Sequence, residues 1–146
     1  TSDSKNMIST LLITFILTLV CADYSGNWVL KKALRNGVSV RVPQGMVELL
    51  SVKDSEDDRY NIYIHAENRI NGRMIVERES SNTTSVVRFK DIISTRMEPS
   101  QKFAPIERFL IQSVSEMTKV TLKTSGKLIW EGPDATATFI PDTNEE

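Results

Sequence analysis

Only one stretch of this chain spaces its apolar residues as a helix does. Ile106, Phe109, Leu110, Val114 and Met117 fall at offsets 0, 3, 4, 8 and 11, one face of a 3.6-residue period. Pro105 suits the first helical turn, where its missing N–H is no loss, and Glu107 suits the positive end of the helix dipole. Most other apolar segments alternate with period two, as half-buried strands do. A lone amphipathic helix among strands must bury its stripe against a sheet. The sequence therefore predicts an α+β fold that is mainly β: a strongly curved antiparallel sheet or half-barrel wrapped around one α-helix at residues 105–117.

Punctuation places the strands. Trp28 and Leu30 mark the first, Val38, Val40 and Val42 alternate next, and Pro43-Gln44-Gly45 turns the chain. Val47 and Leu49 begin a further run, which ends in the acidic loop 54–58. Tyr60, Ile62, Ile64 and Ala66 then alternate with Asn61, Tyr63 and His65. Asn71-Gly72 carries turn chemistry, since both residues tolerate positive φ. Residues 74–77 and 86–90 flank the polar tip 79–85 as a hairpin. Short strands follow at 120–123, 128–130 and 137–140, with turns at Ser125-Gly126 and Gly132-Pro133-Asp134. The pattern has no internal repeat and no long linker, and 146 residues suit one domain able to stand without metals or disulfides.

Ahead of these strands lies an uncharged apolar run, residues 7–22, MISTLLITFILTLVCA. It is short for a membrane span and suits the apolar core of a signal peptide. Val20 and Ala22 are the small residues a signal peptidase needs, so cleavage is expected between Ala22 and Asp23. Residues 1–22 then form the signal, with 1–6 a possible upstream extension, and 23–146 the mature domain. The mature part loses the chain's one cysteine, Cys21, and with it any disulfide. A secreted or secretory-lumen protein without stable membrane insertion follows. Asn82-Thr83-Thr84 fits a glycosylation sequon on the predicted hairpin tip, which makes Asn82 the acceptor.

Chemistry is harder to find. The chain has one histidine, His65, placed in mid-strand, so a nucleophile–base pair or a zinc site lacks its residues. Loop 54–58 lacks the spacing of a calcium loop, and no glycine-rich phosphate loop occurs. Net charge is −1 with scattered cations, which argues against a nucleic-acid partner. These residues predict no enzyme, no cofactor and no metal, and a monomer whose partner is a protein or a small apolar ligand. Gly26-x-Trp28 also occurs in lipocalins, which leaves a carrier of an apolar ligand open; a secreted hydrolase inhibitor acting through loop 54–58 or 79–85 is a further alternative. Arg96, just before the helix, either caps sheet carbonyls or pairs with a carboxylate such as Glu107, or else faces a ligand.

Several segments together resemble the META/HslJ domain family. Asn68-Arg69-Ile70-Asn71-Gly72-Arg73-Met74 is similar to its N-R-x-x-G-x-Y signature, and Ser94-Thr95-Arg96-Met97 to its S-T-R-M segment. Glu107-Arg108-Phe109-Leu110 matches its helix, Leu122, Leu128 and Phe139 its closing strands, and Gly26-x-Trp28-x-Leu30 its first strand. Met74 replaces the family's usual Tyr, and Glu67 and Glu98-Pro99 stand where many bacterial members have a disulfide's cysteines. The resemblance implies a half-barrel around one helix, a binding, stress-associated or virulence-associated role, and no catalysis. It marks Trp28, Asn68, Arg69, Gly72, Thr95, Arg96, Met97 and Glu107 as motif residues.

Overall fold

Alternation along the chain becomes a sheet with one buried face. In β4 (Arg59–His65), Tyr60, Ile62 and Ile64 point inward and are 2%, 0% and 1% exposed, while Tyr63 and His65 stay outside. The computed structural model describes residues 22–56 and 58–143. The expected signal segment, apart from Ala22, therefore lies outside the described residues, as do Cys21 and Asp57. Before β4 come β1 (Gly26–Arg35), β2 (Val38–Val40) and β3 (Glu48–Lys53); after it come β5 (Arg69–Glu79) and β6 (Thr84–Ser94). Helix α1 (Ala104–Ser113) runs into a 3-10 turn (Val114–Glu116), and β7 (Lys119–Leu122), β8 (Leu128–Glu131) and β9 (Ala135–Pro141) complete the order.

Every strand pairs antiparallel with its neighbours, and β1 closes the circle. One edge of β1 takes β3 over Gly26–Val29; its other edge takes β9 from Trp28 to Arg35. The curved sheet is thus a closed eight-stranded barrel in the order β1-β3-β4-β5-β6-β7-β8-β9, with β2 folded onto the end of β1. Large side chains fill its interior. Trp130 lies 4.8 Å, centroid to centroid, from both Phe89 and Phe139, and Leu30, Ile62, Ile70 and Phe139 are fully buried.

The barrel is weakest between β6 and β7. Ladder pairing there covers only Thr84–Val86, flanked by one bond on each side, Leu122 N–H to Thr83 O and Val87 N–H to Thr118 O (both 2.9 Å). Beyond it β6 parts from β7, and the 3-10 turn packs into the gap. Helix α1 spans the adjacent barrel end: Glu107 in its first turn reaches Asn68 in the β4–β5 turn, and Ser113 at its end accepts a 2.6 Å bond from Arg35 of β1. The five stripe residues are all buried as their spacing required: Ile106, Phe109, Leu110, Val114 and Met117.

Two expectations are corrected. The helix does not reach Met117. It tightens to 3-10 at Val114, and Met117 is extended (φ −68°, ψ 136°), because Thr118 N–H must already bond Glu131 O (2.8 Å) to start β7. Asn71-Gly72 is not a turn but lies inside β5, opposite a bulge. Across that bulge β6 spends three residues on two of β5, with Asp91 at φ 56°. Gly72 sits close against that bulge: a Cβ there would meet the tip of the Ile92 side chain, which would have to turn aside, and would lie 3.3 Å from Lys90 O. The Asn-Gly turn of the chain is at Asn36-Gly37, where φ of 50° and 77° joins β1 to β2.

Candidate functional site

The motif residues from three separate segments meet at the barrel end crossed by α1. Asn68, in the β4–β5 turn and 3% exposed, uses every polar atom it has. Its Oδ1 accepts from Thr95 Oγ1 (2.7 Å) and from Met97 N–H (2.9 Å). Its Nδ2 donates to Met97 O (2.7 Å) and Glu107 Oε1 (2.6 Å), and its own N–H donates to Glu107 Oε2 (2.8 Å). Thr95 is fixed in turn, its Oγ1 accepting from Arg69 N–H (3.0 Å) and its N–H bonding Arg69 O (3.0 Å). A further bond from Ser100 N–H to Glu67 Oε1 (2.6 Å) anchors the segment that leads into the helix.

Glu107 is only 2% exposed and forms no ion pair among the described residues. Two N–H donors from Asn68 and the positive end of α1 take the place of a cation. The expectation that Arg96 pairs with Glu107 is therefore replaced: Asn68 occupies both carboxylate oxygens, and Arg96 is exposed without an ion pair among the described residues. The knot holds residues 94–99 beside α1 and leaves a groove of about 520 Å³ between them. Arg96, Met97, Pro99, Arg108, Ile111 and Gln112 line it above the Asn68–Glu107 pair. Met97 is 63% exposed and Ile111 49%, a large apolar area beside two arginines. Such a surface can hold an apolar group that carries a negative charge.

Arg108, Ile111 and Gln112 escape the sequence pattern, because the helical stripe reports the core face alone. Ile111 sits four residues after Glu107, on the same flank of α1, and that spacing was the available signal. The other marked residues are elsewhere. Gly72 serves the β5–β6 bulge, and Trp28 is a core residue of β1, 7% exposed, with Nε1 unpartnered. Asn82 is exposed on the β5–β6 tip, and His65 is exposed on the outer face of β4. Among the described residues no group of three potential ligands gathers as a metal site.

Ala22 and Asp23 lie at the opposite end of the barrel, beside a second polar cluster. Tyr24 is 1% exposed; its hydroxyl meets Ser85 Oγ at 2.7 Å and its N–H bonds the Tyr60 hydroxyl at 3.3 Å. Burial, the largest influence on Tyr60, raises its phenol to about 12, helped by the negative charge of Asp23 and opposed by the Tyr24 N–H. Partial burial also pushes the Asp23 carboxyl up, but the Ser25 N–H and hydroxyl, Lys53 and the Tyr60 hydroxyl outweigh it and leave the group below its ordinary value.

No family model and no curated protein matches the chain. The NMR structure of a protein from Burkholderia xenovorans is similar to it over 88% of this chain and 87% of that one, at 13% identity and a TM-score of 0.44.

Proposed function

We propose that this protein is a META/HslJ-like binding module that does no chemistry, acts in the secretory lumen or outside the cell, and binds its partner in the groove between residues 94–99 and α1. The observation that carries this reading is the Asn68–Thr95–Met97–Glu107 knot, which spends the motif residues on holding one groove wall and leaves Arg96 unpaired over it. A site built for catalysis would aim such groups at a substrate; here they are used up on one another. A stress-associated or virulence-associated role, as the resemblance implies, suits a module of this kind. Cleavage after Ala22 would leave the first core side chain, Tyr24, on the mature domain. A sugar on Asn82 would project from the hairpin tip without touching the core.

The test is affinity capture of the mature protein from its host's secretory fraction, alongside Arg96→Ala. The parent should retain a partner that the variant loses at unchanged thermal stability. Equal capture by both removes the groove from the proposal. The exposure of Met97 and Ile111 favours a second reading, a carrier of a small apolar ligand. Side chains fill the barrel, so that ligand would lie in the groove. A fluorescent fatty acid should then bind the parent and be released by Ile111→Asp; indifference to this change would end the carrier reading.

A further inference from the structure

The chain has two Asn-Gly pairs, and the fold treats them in opposite ways. Asn36-Gly37 is the tight turn between β1 and β2, and both residues are exposed. The Gly37 N–H and the Asn36 side-chain amide make no hydrogen bond among the described residues. Nothing lies within 4 Å of the place a Gly37 Cβ would take. Asn71-Gly72 lies instead inside β5, with a partner strand on each side. Asn71 pairs with Tyr63 of β4 and Ile93 of β6, Gly72 pairs with Ile62, and the Ile92 side chain lies against Gly72.

An asparagine followed by glycine carries its own nucleophile, the glycine main-chain nitrogen, with no neighbouring side chain to hinder the approach. Ring closure brings that nitrogen onto the asparagine Cγ and requires rotation about the asparagine ψ. At Asn36 the starting point is the left-handed turn conformation, with φ of 50° and 77° at the two residues. Rotation there disturbs a surface turn whose attacking nitrogen is free, and local openings of this kind cost little. At Asn71 the same rotation must part β5 from both β4 and β6, an opening close to that of the whole barrel.

We infer that Asn36 is a site of spontaneous deamidation and that the fold protects Asn71 from the same reaction. The Gly37 nitrogen loses its proton and bonds Asn36 Cγ; the Cγ–Nδ2 bond breaks, and ammonia leaves with the proton. Water, the one co-reactant, then adds to either carbonyl of the resulting succinimide and opens it. The product is aspartate when the α-carboxyl stays in the main chain, and isoaspartate when the side-chain carboxyl takes its place. Either product adds a negative charge to a chain of net charge −1, in the turn whose Asn36 N–H bonds Asp134 O (2.7 Å). Isoaspartate also lengthens the main chain of a two-residue turn and so disturbs the Arg35–Val38 pairing that sets β2 on β1. The inference is independent of the binding-module reading.

The full chain, incubated in mildly alkaline buffer with and without denaturing urea, tests it by peptide mapping and electron-transfer fragmentation. In the native protein Asn36 should convert at least tenfold faster than Asn71, to a mixture of isoaspartate and aspartate. In urea the two sites should convert at similar rates. Native Asn36 that stays intact while the unfolded chain converts, or equal native rates at the two sites, overturns the inference. A tenfold difference that persists in urea assigns the preference to local sequence and removes the role of the fold. Aspartate without isoaspartate excludes the ring route and overturns the inference as well.

Discussion

A carboxylate buried without a cation destabilises a fold unless donors meet it, and Glu107 depends on one residue for them. Asn68→Ala removes the side-chain bond to Glu107 and frees both peptide groups of Met97 from their partner. Loss on the order of 3 kcal/mol is expected, at the upper range for hydrogen bonds to charged groups. Glu107→Gln keeps the shape but presents an amide donor where two Asn68 donors need acceptors, so a smaller loss of about 1–2 kcal/mol is expected. Urea denaturation measures both as a fall in midpoint at constant slope. Stability unchanged by Asn68→Ala would show that the knot is incidental. The sequence marked Asn68, Thr95, Met97 and Glu107 by their resemblance to a motif, yet gave no hint that all four would be spent on each other. The contacts join residues 39 positions apart, and hydrogen-bond geometry across that separation leaves no periodic trace.

Strands were legible to the degree that they alternate. Tyr60, Ile62 and Ile64 declare β4 outright, whereas β5 and β6 run further than their apolar cores because Arg69, Asn71 and Arg73 pair as strand residues while looking like loop. Asn71-Gly72 reads as a turn for a related reason: the glycine lies against Ile92 across a bulge within the strand, and its freedom of φ is not used. The end of α1 was set from outside the helix. Gly132, in the turn after β8, lies so near the 3-10 turn that a Cβ would come within 2.7 Å of Glu116 O. Gly132→Ala must therefore push the 3-10 turn away from the β8–β9 hairpin, and overpacking of this kind costs about 1–3 kcal/mol. Gly37→Ala is an instructive contrast, since nothing lies within 4 Å of its Cβ position and only its φ of 77° opposes the change. Thermal melts should rank Gly132→Ala as the more damaging if packing sets the helix end; the reverse order would return that role to the helix's own sequence.

Closure of the barrel was invisible in the sequence, because it depends on Leu30 meeting Phe139 across nearly the whole chain. Closure also buries Tyr60, and this gives the whole molecule an alkaline limit. The folded state holds the Tyr60 phenol at about 12, while an unfolded tyrosine ionises near ~10. A raised value favours the protonated form in the fold, so its contribution is complete below about pH 10 and disappears as pH climbs to about 12. The stake is at most on the order of 3 kcal/mol, since each unit of difference corresponds to about 1.4 kcal/mol, and solvent screening reduces it. At the acid end the lowered Asp23 acts with opposite sign: its contribution is present above the unfolded value near ~3.9 and fades as pH falls through the folded one. Urea midpoints measured from pH 8 to 12 should fall steeply over the last two units. Tyr60→Phe should begin less stable, having lost the bond to Tyr24 N–H, and then show a shallower alkaline decline. If parent and variant decline in parallel, ionisation of Tyr60 is not what opens the barrel at high pH.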